Sequence, residues 1–401
     1  MRANAKNWLE LAEKVYHYRR DVIPEVLAAE LQSQMVSLRI LLKERDNAAK
    51  LKLGIEALEG VMRRTGGRIY PKSTLQEYVE FFLVAAIVVL GIRTYFVQPF
   101  KIPTNSMWPT YNGMTPYVYK TEDQIPGPLG KTLRFLAFGA VHKDVIARDS
   151  GKVIVQVSVN SGGRLYFQRK PGKSWGVFPA TVREYTFYVG QEPVRVEVPE
   201  DFNEFDQAFQ EALGVSGDEL ADLARRSGRG DYDYRWVELN KTITQGQKFL
   251  SFDILTGDQL FVDRFSYHFV APTPGDGFVF RTGQISGIGA DQYYIKRLAG
   301  VPGDKLEIRE PVLYRNGFPI QGAAAFEANA HKRGKYKGYQ NKGALDSGSI
   351  WTVPKDGFVA LGDNSFSSWD SRYWGPVPRK DVVGRPLFIY YPFTSHWGPA
   401  R

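Results

Sequence analysis

The chain of 401 residues contains no cysteine. Disulfides, thiolate nucleophiles and cysteine-based zinc sites are therefore excluded, while the redox compartment stays open. Histidine is scarce. The five copies, His17, His142, His268, His331 and His396, stand in no motif with a serine or a carboxylate, so nothing indicates a Ser-His-Asp triad. Long apolar runs are nearly absent too. A mean hydropathy of −0.31 excludes a polytopic membrane protein, and only the stretch 79–97 is strongly apolar. Acidic residues are in the minority, 43 against 52 basic ones, for a formal charge of +9. No basic cluster is interleaved with aromatics as a nucleic-acid reader would require, so an anionic lipid surface is the simpler partner. The polar, charged first residues are not those of a signal peptide.

What is present suggests two or more domains, since the length and a hydrophobic fraction of 43% support a substantial core. Residues 1–65 carry apolar side chains at helical spacing, among them Leu9, Ala12, Val15, Leu31, Met35 and Leu38. Pro24 breaks this pattern and Gly66-Gly67 with Pro71 ends it, which reads as a solvent-exposed or self-associating helical hairpin. The uninterrupted apolar stretch 81–92, with its flanks, reaches the roughly 20 residues of a membrane span. Glu80 and Arg93 sit near its ends, where long side chains reach the interface. A buried core helix is the rival reading, because the charge-free part is short. Arg63, Arg64, Arg68 and Lys72 precede it without an acidic residue among them, which places the N-terminus in the cytoplasm and the chain after Val97 outside. Beyond the run the texture becomes mostly β, with strands expected at 153–159, 165–168, 186–189, 194–198, 259–265, 277–281, 293–298, 305–309 and 357–361. Short helices are expected near 202–213 and 218–226, and an exposed loop over 334–348.

Ser106 stands between two prolines in Pro-Thr-Asn-Ser-Met-Trp-Pro-Thr at 103–110, just beyond the apolar run. A serine needs a base to act as a nucleophile at neutral pH. With no histidine motif, lysine is the other option, and bringing its pKa from about 10.4 to near 7 takes on the order of 4–5 kcal/mol of burial without a carboxylate partner. Lys296 fits this requirement, because Tyr293-Tyr294-Ile295-Lys296 is an apolar, strongly β-forming segment. Taken alone, a snorkelling surface lysine is the plainer reading.

Three further blocks stand with these two: Gly257-Asp258-Gln259-Leu260-Phe261-Val262-Asp263-Arg264-Phe265, Pro274-Gly275-Asp276-Gly277-Phe278-Val279-Phe280, and the run from Gly362-Asp363-Asn364 through Ser368, Asp370 and Arg372 to Gly375. Together, in this order, they resemble the bacterial type I signal peptidases over about 75–110 and 257–392. The resemblance implies a mostly β, signal-peptidase-like catalytic domain, 99–110 and 257–401, after a cytoplasmic helical region 1–72 and a transmembrane helix 73–98. It implies a Ser-Lys dyad, with Ser106 as nucleophile and Lys296 as general base. The Ser106 N–H and the hydroxyl of Thr104, where the family carries serine, would bind the oxyanion. Ser368 would hydrogen-bond and orient the amine. Asp370 and Arg372 would form a structural ion pair, with Gly362, Asp363 and Asn364 as the supporting turn. Ser365 replaces a common arginine and implies weaker support there. Phe100, Ile102, Pro103, Met107, Tyr294 and Ile295 would line small pockets suited to Ala-X-Ala sites.

No metal or organic cofactor is implied. The implied partners are preprotein signal peptides and the lipid bilayer, with the secretion translocon as a candidate and no nucleic acid. The implied place is a bacterial inner membrane, crossed once. Residues 111–256 have no counterpart in the family pattern and are long enough for an inserted domain. Its role stays open among binding the translocon, the cell wall or preproteins and shielding the site. Two alternatives remain: a self-cleaving repressor-type Ser-Lys protease, which the apolar run argues against, and a catalytically silent membrane-tethered binding protein.

Overall fold

A computed structural model describes residues 1–44, 47–174 and 178–400; the expected domain ranges also contain 45–46, 175–177 and 401, which lie outside the described residues. The chain divides into two units, Met1–Gly91 and Ile92–Arg401.

In the first unit, helices Arg2–Arg19, Glu25–Lys43 and Ala48–Thr65 pack around Leu9, Val15, Leu31, Leu38, Leu58 and Met62. Pro24 caps the second helix, and the Asn47 side chain accepts from the Lys50 N–H at the start of the third. The expected hairpin is thus corrected to a three-helix bundle. The reason is the apolar stripe Leu51, Ile55, Leu58 and Met62, which needs a face of its own to bury. The helix Thr74–Tyr95 has 22 residues, none of them buried. At 1.5 Å per residue it is about 33 Å long, which matches the hydrocarbon core of a bilayer.

The second unit is built on an eight-stranded antiparallel sheet. Its order is Val97–Lys101, Gln259–Asp263, Val382–Tyr391, Gly277–Arg281, Tyr293–Gly300, Gly357–Leu361 and Val377–Pro378, with Gly398–Pro399 added to Val382–Tyr391. A smaller sheet joins Lys305–Arg309 to Val312–Arg315, Phe318–Pro319 and Trp351–Thr352. The segment 334–348 is irregular as expected, but it is not simply exposed: Tyr339 and Leu345 are fully buried in the core beside this sheet.

Residues between the serine motif and the Gly257 block form a body with a hydrophobic core of its own, running from Met114 to Ile254. Strands Gln168–Ser174, Phe178–Val189, Gly151–Ser158 and Tyr234–Ile243 form one sheet, to which Glu192–Pro199 adds. Thr115–Val118, Lys248–Leu255 and Val141–Ile146 form a second. Helices Phe205–Leu213 and Gly217–Arg226 bury Phe205, Phe209 and Leu220 against this core. The strand expected at 165–168 is displaced. Leu165 makes only an isolated bridge to Val157, and the strand starts at Gln168, running through Pro171 on the sheet edge where a missing N–H is tolerated. Lys248–Leu255 escaped the sequence reading because both its faces are buried, so it has no alternation to detect.

Candidate functional site

Successive side chains of a strand point to opposite faces, so Tyr293–Gly300 sends Lys296 and Arg297 in opposite directions. Both are buried, Lys296 to 4% and Arg297 to 1% exposure. Lys296 pairs in register with Phe278, and Tyr294 leans on Phe280, so the amine sits beside an aromatic cluster. Its Nζ donates to the Oγ of Ser106, which lies on a single turn of 3-10 helix, Asn105–Met107. The two residues that the sequence reading singled out are in contact, although 190 positions separate them.

The serine loop is held from behind by the turn Gly362-Asp363-Asn364. The Asn364 N–H donates to the Ser106 carbonyl at 3.1 Å, and its Nδ2 donates to the Asn105 carbonyl at 3.0 Å. Thr110 Oγ1 donates to Asp363 Oδ2 at 2.6 Å. Gly362 is pressed so close that a Cβ there would lie 2.1 Å from Ser368 Oγ and 2.5 Å from the Ser106 carbonyl oxygen. Met107 anchors the loop in the core with Ile102, Tyr111 and Leu260, fully buried.

Two carboxylates lie near enough to influence the amine, and both are already occupied. Asp363 is gripped by Arg297, with Nε at 2.8 Å from Oδ1 and Nη2 at 2.7 Å from Oδ2. Asp370 is gripped the same way by Arg372, at 2.8 Å to each oxygen, and also accepts from the Gly362 N–H at 3.0 Å. Both guanidinium–carboxylate pairs are bidentate and essentially inaccessible. Burial therefore brings the Lys296 ammonium down from the ordinary 10.5 to about 8; Arg372 assists the fall, whereas Asp370 and Asp363 oppose it.

Other expected positions fall out differently. Ser368 is buried, but among the described residues its Oγ has no hydrogen-bond partner, so the expected bond to the amine is not formed; the hydroxyl is packed against Gly362 instead. Ser365 is the reverse case. Read as a point of weaker support, it is a buried node whose Oγ accepts from Arg372 Nη1 at 2.8 Å and from the Gln340 N–H at 3.0 Å.

A cleft of about 740 Å³ opens over the pair. Phe100, Ile102, Pro103, Tyr294 and Ile295 line it beside Thr104, Ser106 and Lys296. Met107 does not, because it is buried in the core beneath. Along this cleft the strand Tyr293–Gly300 has an open edge: 293–296 pair only with Gly277–Arg281, and pairing on the other side begins at Arg297. Such an edge can accept an extended peptide as an added strand. The inserted body adds Ser161, Arg164, Asp201, Glu204 and Gln207 to the lining. No sequence motif marked those residues, nor Arg297 as the partner of Asp363; the adjacency of Lys296 and Arg297 on a strand was the only available signal. Among the described residues no cluster of histidine and carboxylate side chains could hold a metal ion.

Against known families, residues 248–391 match the model described as signal peptidase, peptidase S26. The chain is 32% identical over 145 residues to the probable signal peptidase I-1 of Synechocystis sp., covering 35% of this chain and 66% of that one. It is 30% identical over 138 residues to the signal peptidase I of Leptolyngbya laminosa, covering 34% and 61%. It is also 31% identical over 141 residues to the inactive signal peptidase IA of Staphylococcus aureus, covering 35% and 72%. The match thus spans slightly less than two-thirds of the first two relatives and somewhat more of the third.

Proposed function

The chain belongs to the type I signal peptidase family, and from that premise we propose that it is a membrane-anchored serine endopeptidase that removes signal peptides from preproteins. The observation that carries this reading is a buried lysine, without a carboxylate partner among the described residues, in hydrogen-bond contact with a serine at the base of an open cleft.

A neutral Lys296 takes the proton of Ser106 as its Oγ attacks the scissile carbonyl. The oxyanion is bound by the Ser106 N–H and the Thr104 hydroxyl, and each such donor contributes about a hundredfold to a thousandfold in rate. The ammonium then protonates the leaving amine as the C–N bond breaks. A water, deprotonated by the same amine, hydrolyses the acyl ester and restores Ser106. The substrate adds to the open edge at 293–296 as an extended strand, so side chains two apart share a face. Ile102, Ile295 and Phe100 line the cleft, and bulky side chains there would favour small residues such as those of Ala-X-Ala sites.

The helix Thr74–Tyr95 is the membrane anchor, with the bundle in the cytoplasm and the catalytic sheet outside, in a bacterial inner membrane. The translocon is a partner that this placement would permit. Incubating the detergent-solubilised chain with a preprotein carrying an Ala-X-Ala site tests the reading. A single cut after the second alanine, lost in Ser106→Ala and in Lys296→Ala, is the expected result. Binding without cutting would identify a silent tether instead.

A further inference from the structure

The core of the inserted body runs from Met114 to Ile254, and the Asn105 side chain ties it to the turn that carries the nucleophile, beside a backbone bond from the Met114 N–H to the Pro103 carbonyl at 3.1 Å. Asn105, the residue before Ser106, donates from Nδ2 to Glu204 Oε1 at 3.0 Å and to the Met114 carbonyl at 3.4 Å. Its Oδ1 accepts the Gly113 N–H at 2.8 Å. These contacts fit only one orientation of the amide, since a flip would oppose oxygen to oxygen and donor to donor. Glu204 itself has little freedom. It directly precedes the helix Phe205–Leu213, and Phe205 stacks on Tyr185 with ring centroids 4.1 Å apart, in the middle of the inserted core. The chain of contacts runs from that core through Glu204 and Asn105 to the turn that carries Ser106.

We propose that the insertion is a working part of the peptidase site, with Glu204 as a positioning residue that holds Ser106 against Lys296 through Asn105. The inference rests on Ser106 being the nucleophile. Without Glu204, the Asn105 side chain keeps one strong contact and one weak one; the Asn364 bonds and the buried Met107 still hold the turn, but the Ser106 hydroxyl beside Asn105 is free to shift by a fraction of an ångström from the amine. The body also contributes Ser161, Arg164 and Gln207 to the cleft. A role confined to that wall would act on substrate binding; a positioning role acts on the chemical step.

The test compares Glu204→Ala with Glu204→Gln in the full, detergent-solubilised chain, using a preprotein and a small activated ester that acylates serine but is too short to reach the inserted body. Glu204→Ala is expected to lower kcat about tenfold to a hundredfold with KM changed less than about twofold, because small displacements of a reacting group act at this scale. Acylation by the ester should slow by the same factor. Glu204→Gln, whose Oε1 still accepts from Asn105, should recover kcat to within about threefold. A raised KM with unchanged kcat and unchanged ester acylation overturns the proposal, and so does an equal loss in both variants. If Glu204→Ala does not fold, Glu204→Asp, one methylene short of the amide, is read in the same way. Ser106→Ala run in parallel separates the two readings. Ester labelling that survives in it removes the nucleophile assignment, whereas labelling lost in it but undiminished in Glu204→Ala removes only the role of Glu204.

Discussion

Replacing Lys296 by methionine should abolish activity and yet make the catalytic unit more stable at neutral pH. Methionine is unbranched, of similar length and apolar, so it can occupy the same slot without a charge. In the folded chain the amine releases its proton near pH 8, against the ordinary 10.5 when unfolded. The unfolded state therefore binds more protons between these values, and stability rises with pH across that window. Below pH 8 the full penalty of enclosing the amine is present. At 1.36 kcal/mol per pH unit it is about 3 kcal/mol, and by pH 10 it has fallen to about 1 kcal/mol. The variant also loses the hydrogen bond to Ser106, worth about 1 kcal/mol. The net gain expected at pH 7 is thus about 2 kcal/mol, shrinking to about zero at pH 10. Pulse proteolysis across a urea gradient, on the full chain in detergent, follows the unfolding of this unit at both pH values. No gain at pH 7, or a gain of equal size at pH 10, would refute the claim that the fold holds this amine at an energetic cost.

The same titration sets the pH profile: kcat/KM for preprotein cleavage should rise with pH, reach half its maximum near 8, and fall tenfold per unit below that, and a profile flat from pH 6 to 9 would exclude Lys296 as the base. Asp370→Ala strands the fully buried Arg372 and should destabilise by about 3–5 kcal/mol, measured as the loss of urea midpoint. Any activity that survives should have its pH midpoint moved lower, because a carboxylate that favours the ammonium is gone. Gly362→Ala drives a methyl group into the Ser106 carbonyl and the Ser368 hydroxyl, so kcat should fall by more than about tenfold while KM changes little. Near-normal turnover would mean that the loop yields without moving Ser106.

Part of this site was legible before any fold was known, because its chemistry is local. A serine between two prolines, a lysine on an apolar strand and an apolar stretch long enough to span a bilayer are each written in a few adjacent residues. Strands such as Gly277–Arg281 and Lys305–Arg309 were read to the residue, the second from its alternation and the first from its aromatic, β-branched run between turn residues. Lys248–Leu255 and Val382–Tyr391 were missed, and so was the third helix of the bundle as a packing partner. Strands buried on both faces, or bent by a bulge, lose the periodic signal on which such reading depends.

The amino-acid order alone determined which groups could react and where the chain could enter a membrane, since these follow from side-chain chemistry and apolar content over short stretches. Only the tertiary structure decided that Asp363 and Asp370 are claimed by Arg297 and Arg372, leaving Lys296 without a counterion among the described residues, that Ser368 is packed against Gly362 and not bonded to the amine, that Met107 belongs to the core, and that Glu204 reaches the serine loop. Each of these depends on which of several possible partners lies within about 3 Å, the range of a hydrogen bond. Packing settles that choice among residues far apart in the chain, and no local pattern encodes it.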